Sequence, residues 1–187
     1  KLRITDSEMD FRGTVTGDRE TTAKWRLNMH LHDCALNAGL DMEHVHGEIS
    51  ALGEWDGYRL TNHGHINLET AETLEMPITH TRGPYSMNNL DLVLGSRQVF
   101  EGRQLALINQ DYRLKAQAYG GDLFLDALVD MRENGRYWFF TELENARLES
   151  YAQLHIQEKQ NLRGVVNAWM SLKGEGEDAE NCQGEGQ

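Results

Sequence analysis

Residues 44–69 read HVHGEISALGEWDGYRLTNHGHINLE and carry two His-x-His pairs, His44/His46 and His63/His65. A third pair, His30/His32, lies just upstream in HLHD. In a β-strand residues i and i+2 share a face, so each pair could bring two imidazoles to one ion. A catalytic zinc needs three protein ligands and groups that orient them, so the pairs would form a site only on neighbouring strands in register. The cupin pattern of His-x-His with a following Glu does not fall into place. In HLHDCA the aspartate follows the second histidine with no histidine after it, unlike the metallo-β-lactamase run. Each pair also lies opposite an apolar row: His30/His32 opposite Trp25–Leu31, His63/His65 opposite Leu60, Ile66 and Leu68, and His44/His46 opposite Val45, Ile49 and Ala51. The reading preferred here is the solvated side of a sheet, with no cofactor and no metal. A cupin-like metal site on His30, His32, His44, His46, His63 and His65 is the alternative.

Other chemistry is thinner. Gly-x-Ser-x-Gly, P-loop and Rossmann fingerprints are missing from the sequence. Among 30 acidic residues no pair stands out as a glycosidase acid and nucleophile. Trp25, Trp55, Trp138 and Trp169 could bind carbohydrate if exposed, but strand aromatics more often fill a core. The expectation is a protein that is not an enzyme. Cys34 and Cys182 lie in no Cys-x-x-Cys pair and are expected as two free thiols.

The elements that would position these residues are strands. In WRLNMHL the apolar Trp25, Leu27, Met29 and Leu31 alternate with polar residues. The same alternation places Leu60, Ile66 and Leu68 on one face, then Leu90, Leu92 and Leu94, then Leu114, Ala116 and Ala118, then Val166, Ala168, Met170 and Leu172. One apolar and one wet face is the mark of an antiparallel sheet covered on one side. GRYWFFTEL is apolar on both faces, which predicts a strand covered on both sides. LESYAQLHIQEKQ sets Leu148, Tyr151, Ala152 and His155 at helical spacing and predicts a short helix near 149–158. Glycines 47, 64, 83, 102 and 121 are separated by 17, 19, 19 and 19 residues, which suggests one hairpin per repeat with glycine at a turn or strand edge. Runs such as GRQLALI and GDLFLD read as the strands that follow.

The fold class expected is therefore mainly all-β: an elongated, curved antiparallel sheet of hairpin repeats forming an open groove, with one short helix. Residues 1–187 read as a single segment, with 174–187 a Gly/acidic tail or the start of a next strand. The first residue, Lys1, and the QGEGQ end suggest a window from a longer protein. Net charge of −12 argues against nucleic acid and against docking on anionic head groups. No apolar run is long enough to span a membrane as a helix.

Two stretches carry a family resemblance. VHGEISALGEWDGYRLTNHGHINLETAETLEMPIT repeats glycine, alternating strand, turn and alternating strand. ELENARLESYAQLHIQEKQNLRGVVNAWMSLKGEGED combines a strand, a short helix, Leu162-Arg163-Gly164 and a strand ending in Leu172-Lys173-Gly174-Glu175-Gly176. Together they resemble the bacterial AsmA-like envelope proteins, relatives of TamB and the bridge-type lipid-transfer families. The resemblance implies a groove that shields lipid acyl chains, in lipid transport or outer-membrane assembly, in the cell envelope or periplasm, anchored by a region outside the segment. Leu60, Ile66, Leu68, Leu90, Leu92, Leu94, Leu114, Leu123, Leu125, Met170 and Leu172 would face lipid. Other segments of the same chain or other envelope proteins would be further partners. A β-sandwich or jelly-roll module binding carbohydrate or protein is the rival from another class.

Overall fold

The computed structural model describes residues 7–17, 21–37, 41–73, 75–101, 104–132, 135–156, 162–175 and 183–187. The chain is an all-β protein with one short helix. Its strands are β1 (Ser7–Thr16), β2 (Thr22–Asn37), β3 (Asp41–Trp55), β4 (Leu60–Thr73), β5 (Met76–Asn88), β6 (Asp91–Leu94), β7 (Leu114–Ala118), β8 (Gly121–Asp130), β9 (Arg136–Arg147), β10 (Val165–Glu175) and β11 (Gln183–Gly186). Helix α1 (Leu148–His155) joins β9 to β10. The strands form one antiparallel sheet in the order β1-β2-β3-β4-β5-β6-β8-β9-β10-β11, with β7 between β5 and β8. β6 pairs the end of β5 and β7 pairs its middle, and both pair β8. They are thus two halves of one strand position, interrupted by the excursion 95–113.

The strands are long because alternation is sustained. β2 through β5 run 13 to 16 residues, where five or six is usual. The 17–19-residue glycine step is therefore one strand with its turn, not one hairpin. Gly47, Gly64 and Gly83 sit inside strands, while Gly121 opens β8 at the β7–β8 turn as a strand-edge glycine. A Cβ at Gly64 would run into the Ser50 carbonyl and the Tyr85 ring, and one at Gly53 into the Trp25 indole. Tyr137 lies over Gly174 in the same way. Gly53, Gly64 and Gly174 thus each face a ring of the neighbouring strand, whereas Gly47, Gly83 and Gly121 meet neighbouring backbone. Gly102 lies outside the described residues.

Long strands need phase corrections. Asp33, His44, His80 and Asn145 have positive φ, between 50° and 58°. They fall where the ladders skip, near Leu31/Cys34, Glu43/His46, Thr79/Arg82 and on β9 beside its irregular pairing with β10. Asp, Asn and His are the non-glycine types that best tolerate this region. Each irregularity adds a residue and resets which side chains face inward. That is why Leu31 and Cys34, three apart, share one buried cluster with Met29, Val45, Leu68 and Ala71. A second cluster holds Ile78, Ala116, Ala118 and Leu123 on the same face. Each buried leucine or isoleucine contributes about 1.5–3 kcal/mol.

The excursion 95–113 forms short 3-10 turns at Arg97–Glu101, Leu105–Leu107 and Gln110–Tyr112. GRQLALI is therefore not a strand. β6 and β7 already fill the place between β5 and β8, so this segment folds over the sheet. Val99, Phe100 and Ile108 are buried against Leu128, Trp138 and Phe140, while Phe139 is buried on the opposite side. β9 is apolar on both faces where WFF predicts it, with Trp138 and Phe140 roofed by the excursion and Phe139 packed among its neighbours on the other face. In α1, Ala152 is buried and Tyr151 and His155 pack against Tyr119 at the β7–β8 turn.

Candidate functional site

The cross-strand register gives each face its composition. On one side lie Met29, Ile49, Ile66 and Gly83; the next register rows hold Leu27, Ala51, Gly64 and Tyr85, and Leu31, Gly47, Leu68 and Thr81. Further along, Leu114 meets Leu125, Leu123 meets Leu143, and Leu172 meets Phe139. The opposite side carries His30, Glu48, Asn67 and Arg82 as one row. An apolar face of eleven strands is the candidate functional surface, since no second sheet lies across it among the described residues.

The residues expected to face lipid divide into four groups. Leu60, Ile66, Leu92, Leu94, Leu125 and Leu172 are half-buried on the apolar face. Leu68, Leu114 and Leu123 are buried within it, at 3%, 5% and 3% exposure, and belong to its packed floor rather than its open surface. Met170 is 37% exposed near the far edge. Leu90 is a correction: Asn89 and Leu90 form the β5–β6 turn, held by Asn89 Oδ1 accepting from Leu60 N–H and by the Leu90 carbonyl accepting from Met131 N–H. Leu90 is exposed there, and the strand row begins only at Asp91. Trp25, which alternation placed on the apolar row, and Tyr85, which the leucine pattern did not pick out, both lie on the apolar face against glycines of β3 and β4. Each faces the glycine directly opposite it on the neighbouring strand, Gly53 for Trp25 and Gly64 for Tyr85. Burial holds the Tyr85 hydroxyl above its ordinary pKa. Phe11, Met9 and Val15 of β1 extend the same face and are 59%, 56% and 73% exposed.

The histidines do not converge. His30 Nδ1 lies 3.1 Å from Glu48, and His44 Nδ1 lies 2.8 Å from Asp33 Oδ1, with His46 Nε2 at 3.8 Å from the same oxygen. His63 and His65 are exposed opposite Leu52 and Ser50. Among the described residues no three His, Cys, Asp or Glu side chains are grouped to hold a metal. The Asp33 carboxylate holds the His44 imidazole above its ordinary pKa, first through the hydrogen bond and then through charge. Cys34 is buried, its thiol donating to the His32 carbonyl at 3.8 Å. Cys182 lies outside the described residues.

One charged cluster was not legible in the sequence. Asp126 of β8 stands at the break between β6 and β7, between the pairs Leu94–Ala127 and Leu114–Leu125. Its carboxylate accepts from Ser96 N–H at 2.9 Å and from Arg113 Nε at 2.8 Å, so it fastens both ends of the excursion. Arg113 also donates to Glu142 at 2.7 Å and lies over the Phe124 ring. The Arg113 and Asp126 side chains are 3% and 0% exposed. Burial raises the Asp126 pKa, with Arg113 opposing it. This cluster is enclosed by the fold and faces no substrate space.

Two clefts lie at the margins of the sheet. One, of about 470 Å³, is lined by Arg132, Arg136, Tyr137, Trp138 and Lys173 among others. Another, of about 520 Å³, is lined by Glu142, Asn145, Asn167 and Trp169 among others. Trp138 donates to Ser171 Oγ and Trp169 stacks on Phe140, so both indoles are committed to packing. No described helix is long and apolar enough to cross a membrane. Neither protein-family models, nor curated proteins, nor solved structures gave a match to this chain.

Proposed function

We propose that this chain is a non-enzymatic segment of an AsmA-like cell-envelope protein and that its apolar sheet face shields lipid acyl chains in lipid transport or outer-membrane assembly. One observation carries the reading. Six half-buried side chains, Leu60, Ile66, Leu92, Leu94, Leu125 and Leu172, lie on one continuous face that no second layer of described residues covers. Leaving such a face to water costs about 25 cal/mol for each Å² of apolar surface, so a partner with apolar chains is favoured strongly. The net charge of −12 does not oppose this, because acyl tails meet the lining and not the polar side. On this reading the segment works in the periplasm, anchored by sequence outside it, alongside neighbouring segments of the same chain or other envelope proteins. The continuous hydrogen-bonded order of the eleven described strands favours this reading over a module of two separate sheets.

The test is mass spectrometry of the purified chain, run natively for metal and after organic extraction for lipid. Co-purifying phospholipid is the expected result. Stoichiometric zinc or iron without lipid would overturn the reading and direct mutagenesis to the histidine pairs. Leu92→Glu and Leu125→Glu place a carboxylate on the lining at half-buried positions. Each is expected to abolish lipid loading, and loading retained in both would count against the groove.

A further inference from the structure

We infer that the rim of the apolar face formed by the β3–β4, β5–β6 and β8–β9 turns seats on a zwitterionic bilayer surface. Resting on the acyl-chain reading, this rim is where the face meets its source of lipid. The strands alternate in direction, so the three turns lie at the same end of the sheet. They are joined one to the next. Asn89 N–H donates to the Leu60 carbonyl across the first two, and Met131 N–H donates to the Leu90 carbonyl across the second and third. Along this rim Trp55 is 39%, Tyr58 83%, Leu90 45% and Met131 43% exposed. The apolar row runs out to them without a polar border, since Ala23 faces Trp55 and Trp55 faces Leu60. Toward the opposite rim the same face is closed. There Val45, Ala71 and Ile78 are 0%, 4% and 1% exposed, and α1 packs against Tyr119.

Turns that carry apolar tips into the boundary between head groups and acyl chains need their polar groups satisfied within the chain. Here they are. The Asp56 carboxylate accepts from Tyr58 N–H at 3.0 Å and from Arg59 N–H at 2.8 Å, so Tyr58 projects from a fixed turn. Asn89 Oδ1 accepts from Leu60 N–H at 2.9 Å beside Leu90. The charges close by are balanced in place. Arg132 lies 2.8 Å from Asp130 and 3.2 Å from Asp91, Arg136 lies 3.8 Å from Asp130, and Asp56 shares its turn with Arg59. A rim of balanced charge on a chain of net charge −12 suits head groups without net charge and not anionic ones. Trp and Tyr with arginine beside them is the composition of a membrane-interface belt. The rim runs across the strand ends, so further strands beside β1 or β11 would lengthen it and leave these turns uncovered.

Flotation of the 187-residue chain with phosphatidylcholine vesicles tests this. Binding is expected, and weaker binding when phosphatidylglycerol is added at low salt. Tyr58→Ser combined with Leu90→Ser should lower the partition coefficient by about tenfold. Leu154→Ser, on α1 at the opposite rim, should leave it within about twofold. Tyr58, Leu90 and Leu154 are all exposed, so the fold is expected to be unchanged by circular dichroism. Phosphatidylcholine brominated along its acyl chains should quench the bound chain's tryptophan fluorescence, and Trp55→Phe should remove most of that quenching. A chain that does not float overturns the proposal. So does flotation indifferent to Y58S/L90S, lost in Leu154→Ser, or strengthened by phosphatidylglycerol. Lipid extracted from the same preparation separates rim from groove. A chain that carries lipid but does not float overturns the rim alone, and one that floats but carries none supports the rim and tells against the groove.

Discussion

Strands β2–β5 and strands β8–β10 belong to one sheet but solve different packing problems. In β2–β5 one side is polar, with His30, Glu48, Asn67 and Arg82 in a row, and the other is apolar. In β8–β10 the corresponding polar side is apolar too: Leu128, Trp138 and Phe140 are roofed by Val99, Phe100 and Ile108. The roof comes from splitting a strand. Splitting it leaves strand ends in the sheet interior, and Asp126 with Arg113 fastens them there. Where the sheet is interrupted, the Ser96 N–H and the Arg113 guanidinium at the two ends of the excursion find one carboxylate.

The sharpest way to break this difference is Asp126→Ala. It leaves the Arg113 guanidinium buried with only Glu142 as an ionic partner, and Nη2 of Arg113 already lacks a hydrogen bond. Removing one member of a buried pair costs about 3–5 kcal/mol. Denaturant unfolding should show that loss, and limited proteolysis should cut first within 95–113. A control sharpens the reading. Asp126→Leu with Arg113→Met, which removes both charges, should recover much of the stability. Equal loss in both variants would mean that the cluster does not fasten the excursion through charge.

The apolar face itself is graded from centre to edge. Leu123 is 3% exposed and packs with Ile78, Ala116 and Ala118. Met170 is on the same face but 37% exposed. Leu123→Ala should cost about 2–5 kcal/mol by thermal or denaturant unfolding, and Met170→Ala about 0.5 kcal/mol or less. Equal costs would mean that the face is uniformly packed, leaving no open surface for a ligand.

How much of this was legible follows from periodicity. Alternation in WRLNMHL, YRLKAQAY and WFF placed strands and faces correctly because period-two patterning is a local signal. What alternation cannot carry is a phase change. Of the residues that make those changes, Asp33, His44, His80 and Asn145, alternation places only His44, on the polar face, and marks none as a bulge. GRQLALI looked like a strand because it is apolar; its exclusion depends on β6 and β7 occupying the only place open to it. Leu90 was assigned to a strand row by spacing, while Asn89 at φ 52° makes the turn there. The Asp126–Arg113 pair spans a strand break, and no sequence pattern marks two distant charges that meet across one.

The histidines give the smallest effect and the finest test of the polar side. His44 is exposed and sits at a phase change, hydrogen-bonded to Asp33 at another. Its pKa is raised above 6.5 in the folded chain because its imidazolium N–H donates to that carboxylate. A raised folded value means that the native state binds the proton more tightly than the unfolded state. The resulting stabilisation is complete below the unfolded pKa and is lost as pH rises through the folded one. Asp33→Asn removes the carboxylate charge while keeping a side chain that accepts αL geometry. The His44 titration midpoint, followed by NMR, should then fall toward 6.5. The pH dependence of stability between the two midpoints should shrink with it. A midpoint unmoved by Asp33→Asn would show that the contact between the two bulges is not made in solution, and past Leu31 and Gly47 the β2–β3 pairing would then rest on its ladder and on the packing of Cys34 and Val45.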